Sequence, residues 1–291
     1  MQFTPQQMAG GISYSHGTRI GNWNEDSSLQ EGRSAAYQRN KQNGTRLTDL
    51  KAAVGAVELA IAACTCSEVV RFGDTVQLQH GVTGAYMASN LSLRVLDATP
   101  GAVEIVVSAH GGSGNPVARN TFVVLPKDAS VGAIGEPLCY GHPFRLVSAP
   151  GLARGGEDFV LLSRKPGLGS GCTRGMQQAV CLTHASREGN GADSVWSCAL
   201  PSGACVESLG ELRPVPVDTA MLLRHNQTGK NLAADAKLTV ATDYGQELAV
   251  SCHSYRSTKL PQMMIGEFNG SRTGNDSVPA LANNNWKFVA N

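Results

Sequence analysis

Two stretches of this chain repeat in register. LQHGVTGAYMA (78–88) and LRHNQTGKNLA (223–233) share Leu, His, Thr, Gly and Ala at an offset of 145 residues. EIVVSAH (104–110) and ELAVSCH (247–253) share Glu, Val, Ser and His at an offset of 143. Two matches in one order at nearly one offset mark an internal repeat, built of units too small to bury their apolar faces alone. A middle copy is weaker: QAVCLTH (178–184) again ends a β-type run in His. Phe122 follows His110 by 12 residues and Trp196 follows His184 by 12, whereas Trp286 follows His253 by 33. The third copy therefore carries an inserted loop at about 256–284.

Each copy reads as four strands. First strands fall at 76–80, 144–148 and 221–225, and second strands at 85–88, 158–162 and 230–234. Third strands fall at 104–110, 178–184 and 247–253, and fourth strands at 121–125, 194–199 and 285–290. This register makes Leu78, Leu146 and Leu223 equivalent core residues, with Phe122, Trp196 and Trp286 equivalent on the fourth strands. The expected fold is mainly all-β: a β-trefoil-like body of three four-stranded repeats over 71–291. Ahead of it stand a polar N-terminal arm (1–28) and a segment (29–70) with two helices. Ser28 and Glu31 have capping-box spacing before the first helix, and Asn43-Gly44 ends it. The second runs from about Thr48 to Cys64.

Composition agrees. The 33 glycines, with only 16% charged residues, favour a turn-rich β body over a helical bundle. A formal net charge of +1 leaves no basic footprint for nucleic acid and no polybasic run for a membrane surface. The longest apolar stretch, AAVGAVELAIAAC (52–64), contains Glu58 and is too short to span a bilayer. The start, MQFTPQQM, has no signal-peptide pattern, so the eight cysteines are read as reduced thiols.

The search for chemistry returns little. No GxSxG, HExxH, P-loop, GxGxxG or CxxC occurs. HGGSGN (110–115) and PGLGSG (166–171) lack the Lys-Ser/Thr ending of a phosphate cradle and read as turns. His110, His184 and His253 could surround a threefold axis as metal ligands. The preferred reading is that each ends a strand and hydrogen-bonds a neighbouring turn, as do His80 and His225. Thr83-Gly84 and Thr228-Gly229 read as hairpin turns. The expectation is no enzyme, no cofactor and no metal. Two alternatives stay open. One is a free ligand-binding trefoil for a sugar or lipid headgroup, for which Asp74 and Asp218 are the nearest to repeated acidic positions. The other is a thiol enzyme using Cys172, Cys181 or Cys198 with a histidine.

One stretch lies outside that body. In TRIGNWNEDSSLQEG (18–32) Trp23 stands among Asn22, Asn24, Glu25 and Asp26, too polar a setting to bury itself. RIGNWNED (19–26), then FGDTVQL (72–78), ARNTFVVL (118–125), YGHPF (140–144) and NNWKFV (284–289), resembles the cilia- and flagella-associated protein 161 family. The resemblance touches nearly the whole chain from Thr18 onward. It departs at 98–118 and in the 165–192 loops. It implies a microtubule inner protein, a structural component inside the A-tubule of axonemal doublets, in the cytoskeleton of the cilium or flagellum. The implied partners are tubulin and other luminal proteins. The expected docking residues are Arg19, Ile20, Gly21, Asn22, Trp23, Asn24, Glu25 and Asp26. With Ser28 as cap, Trp23 would stand five residues outside the helix, too far to staple it.

Overall fold

The structure, a computed structural model, describes residues 23–43, 64–94, 104–112, 114–149, 152, 158–164, 177–185, 191–201, 213–255 and 282–290. The chain divides into two compact units, Met1–Gly55 and Ala56–Asn291. In the first, helix α1 spans Trp23–Gln42. The expected second helix lies, save for Cys64, outside the described residues.

The second unit is a β body. Its strands are β1 (Thr75–His80), β2 (Tyr86–Arg94), β3 (Ile105–His110), β4 (Phe122–Pro126), β5 (Phe144–Ser148), β6 (Phe159–Ser163), β7 (Gln178–His184), β8 (Trp196–Ala199), β9 (Met221–His225), β10 (Leu232–Thr242), β11 (Gly245–Cys252) and β12 (Asn285–Val289). Each of the twelve expected strands has its counterpart, although β2 and β10 run well past their expected ends. All pairings are antiparallel, and β1, β4, β5, β8, β9 and β12 close a circuit. The others form the hairpins β2–β3, β6–β7 and β10–β11. Those hairpins meet where β3, β7 and β11 pair with one another. Among the described residues no helix is long and apolar enough to cross a membrane.

The register repeats as well as the topology. Val76 opposes Phe122, Phe144 opposes Trp196, and Met221 opposes Trp286. Leu78, Leu146 and Leu223 are fully buried, as are Phe122, Trp196 and Trp286. Period-two alternation sends every second side chain of β8 and the start of β12 into this core. Below it, three amides form a closed triangle: Val70 donates to Val215 at 3.1 Å, Val215 to Leu138 at 2.8 Å, and Leu138 to Val70 at 2.9 Å. The body thus takes in Cys66 and Val70, both buried, so it begins earlier than the expected Arg71. Just before the first strands, Gly73 (φ 95°), Gly141 (φ 84°) and Asp218 (φ 56°) share a left-handed backbone. Their amides donate to Val124, Cys198 and Phe288, three matching positions. Asp218 occupies a conformation that glycine adopts without strain, and Asp tolerates it better than most residues.

One expected equivalence fails by a residue. The pairings Ala109 with Leu248, Leu182 with Ile105, and Cys252 with Gln178 make Thr183, not His184, the counterpart of His110 and His253. Counting twelve residues from His to aromatic assumed equal loops, and the loop after β7 is one residue longer than that count allows. The corrected register aligns Glu104, Gln177 and Glu247 at the mouths of the third strands.

Candidate functional site

Four of the eight residues singled out for docking fall at the start of α1. Arg19, Ile20, Gly21 and Asn22 lie outside the described residues. Trp23, Asn24, Glu25 and Asp26 form the first turn of α1. The helix therefore starts five residues before the expected cap at Ser28, and Trp23 is helical rather than part of an extended arm. The sequence contains a competing signal: Asn22 and Glu25 have the same capping spacing as Ser28 and Glu31. The earlier start also places Glu25 and Asp26 at the positive end of the helix dipole, while Arg39 and Lys41 occupy the last turn. Every residue from Ser27 to Asn43 is exposed. Of the four exposed large apolar side chains among the described residues, Leu29 (43%) and Tyr37 (54%) are on α1. They stand eight residues apart with Arg33 midway, so all three share one side of the helix. A helix of this length, with Gly32 and three serines, is marginal alone in water.

Several of the body's polar residues, by contrast, are occupied by partners within the fold. His80 Nε2 donates to the Asn283 carbonyl at 3.0 Å, so its Nδ1 accepts from Thr83 Oγ1 at 2.8 Å. His225 repeats this with the Asp193 carbonyl and Thr228 Oγ1, both at 2.8 Å. Each ring packs 5.0 Å from a tryptophan, Trp286 or Trp196, and each indole N–H donates to a carbonyl, of Leu232 or Leu161. Burial lowers the pKa of both histidines. The hairpin turns after them contain Gly84 (φ 68°) and Gly229 (φ 65°), as the Thr-Gly pairs suggested. His110 Nδ1 accepts from the Gly112 amide at 3.1 Å, and His184 packs 4.7 Å from Phe159. No group of metal-binding side chains occurs among the described residues.

At the hairpin mouths the aligned positions Glu104, Gln177 and Glu247 are each tied to a neighbouring hairpin. Glu247 is buried and takes two bonds from Arg119 Nη2, at 2.7 and 2.9 Å, and one from Ser108. Arg119 also lies 3.5 Å over the Tyr244 ring. Glu104 pairs with Arg164 at 2.6 Å, and Gln177 accepts from Ser251 while donating to Tyr255 at 2.6 Å. Sequence reading missed this set, although the shared Glu of the two matched motifs was its signal. Asp74 and Asp218 do not form matching ligand positions either. Asp74 accepts from the Arg71 amide at 2.8 Å, and Asp218 takes the left-handed turn and Lys287 at 3.3 Å.

Burial disfavours the thiolate at four of the described cysteines. Cys66, Cys139, Cys181, Cys198 and Cys252 are buried. Burial pushes Cys66 up to about 11 and Cys252 up to about 12, and raises Cys139 and Cys198 as well. A catalytic thiol needs the opposite shift. Cys172 lies outside the described residues.

A mainly β body in which His80, His225, both buried indoles and Glu247 are hydrogen-bonded internally, together with a helix exposed from Ser27 to Asn43, is the class of molecule these features define. The cilia- and flagella-associated protein 161-like domain matches residues 175–259, from the approach to β7 through β11. Cilia- and flagella-associated protein 161 of Bos taurus is 31% identical over 261 residues, covering 83% of this chain and 77% of that protein. The protein of the same name from Mus musculus is 29% identical over 268 residues, covering 83% and 82%. This chain belongs to the cilia- and flagella-associated protein 161 family. Among solved structures, the SDF2-like protein from Arabidopsis thaliana aligns with a TM-score of 0.49 at 14% identity, covering 76% of this chain and 94% of that one. A likeness at that level carries no functional weight.

Proposed function

We propose that this chain is a structural microtubule inner protein, held against the luminal wall of the A-tubule in axonemal doublets of a cilium or flagellum. Its body is a β-trefoil of three four-stranded repeats, a reading supported by the recurring register of the barrel pairs and the three joined hairpins. Its docking element is Arg19–Asp26 continued into α1, which binds tubulin or a neighbouring luminal protein. On this reading the protein has no catalytic role, which is supported by the raised thiols of Cys66, Cys139, Cys198 and Cys252 and by the use of His80 and His225 in hairpin turns.

The observation that carries this reading is α1 itself, a 20-residue helix whose described side chains are all exposed. Such a helix gains its stability from a partner more than from propensity. The surrounding polar residues suit the rim of an interface, with an aromatic at its centre. Fractionation of axonemes tests the reading. The protein should resist salt extraction and leave only when the doublets are dissolved. Release by salt alone would place it on an outer surface and defeat the proposal.

A further inference from the structure

We propose that the outer edge of β10 pairs antiparallel with the same edge of a second copy of this chain, making a twofold dimer centred on Val240. β10 is the longest strand among the described residues, with 11 residues. Its pairing with β11 shifts register between Ala234 and Thr239 and continues to Thr242 opposite Gly245. Asp235 pins the shift, accepting from the Lys237 amide at 3.0 Å and from the Tyr255 hydroxyl at 3.1 Å. Beyond it the strand pairs, among the described residues, with β11 alone. Its other edge, among the described residues, makes a single bridge, Asn231 to Arg224.

An open strand edge displays unpaired amides and carbonyls to any strand that approaches, so proteins usually blunt such edges with proline, inward charge or brevity. From Ala236 to Thr242 none of these is present, and Lys237 is the sole charge. Ala236, Lys237, Thr239 and Ala241 are exposed, while Leu238, Val240 and Thr242 are half-buried. Thr, Val and Leu suit a pleated, half-covered surface.

The sequence selects the occupant. KLTVATD (237–243) is complementary to its own reverse about Val240. In that register Val240 faces Val240 of the other copy, Thr239 faces Ala241, Leu238 faces Thr242, and Lys237 faces Asp243. Residues of one parity meet residues of the same parity, so the half-buried face of one ribbon continues into that of the other. The flanking charges meet with opposite sign at both ends. A centre one residue earlier would instead set Asp235 against Asp243. Seven residues per copy bury less than a standard interface, so the dimer is weak and appears as concentration rises.

Sedimentation of the full chain across a wide concentration range tests this. The expected result is a reversible shift towards twice the monomer mass. Thr239→Lys with Ala241→Lys places four like charges across the pairing while altering exposed residues only, and should weaken the dimer by at least about tenfold. Val240→Cys should give a disulfide-linked dimer under mild oxidation that the wild-type chain does not, because opposed strand residues come within disulfide reach. A monomer at every concentration, a dimer indifferent to the two lysines, or a Val240→Cys chain that fails to cross-link would each overturn the proposal. The first and last of these would leave the edge to a strand from another protein.

Discussion

Helix α1 and the β body use the same kinds of residues to opposite ends. In the body, polar groups are consumed internally: His80 and His225 hold hairpin turns, Glu247 holds Arg119, and the indoles of Trp196 and Trp286 hold carbonyls. In α1, Leu29, Arg33 and Tyr37 stand exposed. A group already satisfied inside the fold has nothing to offer a partner without unfolding something. Exposed side chains such as Leu29, Arg33 and Tyr37 can change at little cost to the fold. The difference separates residues whose loss should harm stability from residues whose loss should harm the proposed docking.

The largest expected effect lies in the body. Trp196→Ala or Trp286→Ala removes a fully buried ring and its hydrogen bond, and should cost about 3–5 kcal/mol in denaturant unfolding. Near-neutral unfolding of both variants would break the contrast at its strongest point. Next comes the tie between hairpins. Glu247→Ala leaves Arg119 buried without its carboxylate, and should cost about 3 kcal/mol, the lower end for breaking a buried pair. A loss within the range of an ordinary surface substitution would mean that water or Tyr244 takes over the cation.

A smaller effect depends on pH. His80 and His225 have folded pKa values below the ordinary 6.5, so the unfolded chain binds protons more readily. Their contribution is present above about pH 6.5 and declines as pH falls from there through the lowered folded values. His80 faces the Thr83 hydroxyl, the Asn283 carbonyl and Trp286, with burial as the chief cause of its shift. The Asp193 carboxylate partly offsets burial at His225. Unfolding free energy should therefore fall on acidification, and His80→Gln and His225→Gln should each flatten that fall. Parallel slopes in all three chains would contradict the assignment. Smallest of all is Tyr37→Ala on α1, expected to change stability by less than about 0.5 kcal/mol. A larger loss would show that the helix does support the fold.

Most of the strand order was legible because β-strand residues and turn glycines recur in order. Leu78 and Leu223 each stand two residues before a histidine and five before a threonine. The errors came where one signal stood for two possibilities. The shared histidine letter aligns His184 with His110 and His253, but strand pairing sets register by hydrogen bonds and places Thr183 there. That slip hid Gln177 as the partner of Glu104 and Glu247. Arg119 and Arg164, which complete two of the three hairpin seams, belong to no repeat and gave no sequence signal. At α1 two capping spacings overlapped, and the earlier one, with acidic residues at the helix start, prevailed. β10, like β2 in the first copy, overran its expected end past a register shift, and Thr239, Val240 and Thr242 favour the strand there.

The central claim is that the N-terminal segment serves a partner and the body serves itself. A paired measurement on Trp23→Ala tests it most directly: thermal unfolding of the isolated protein, and incorporation into axonemes beside wild type. The account predicts an almost unchanged melting temperature with a loss of at least about 2 kcal/mol in binding, as for an interface hot spot. A large drop in melting temperature with normal incorporation would contradict it.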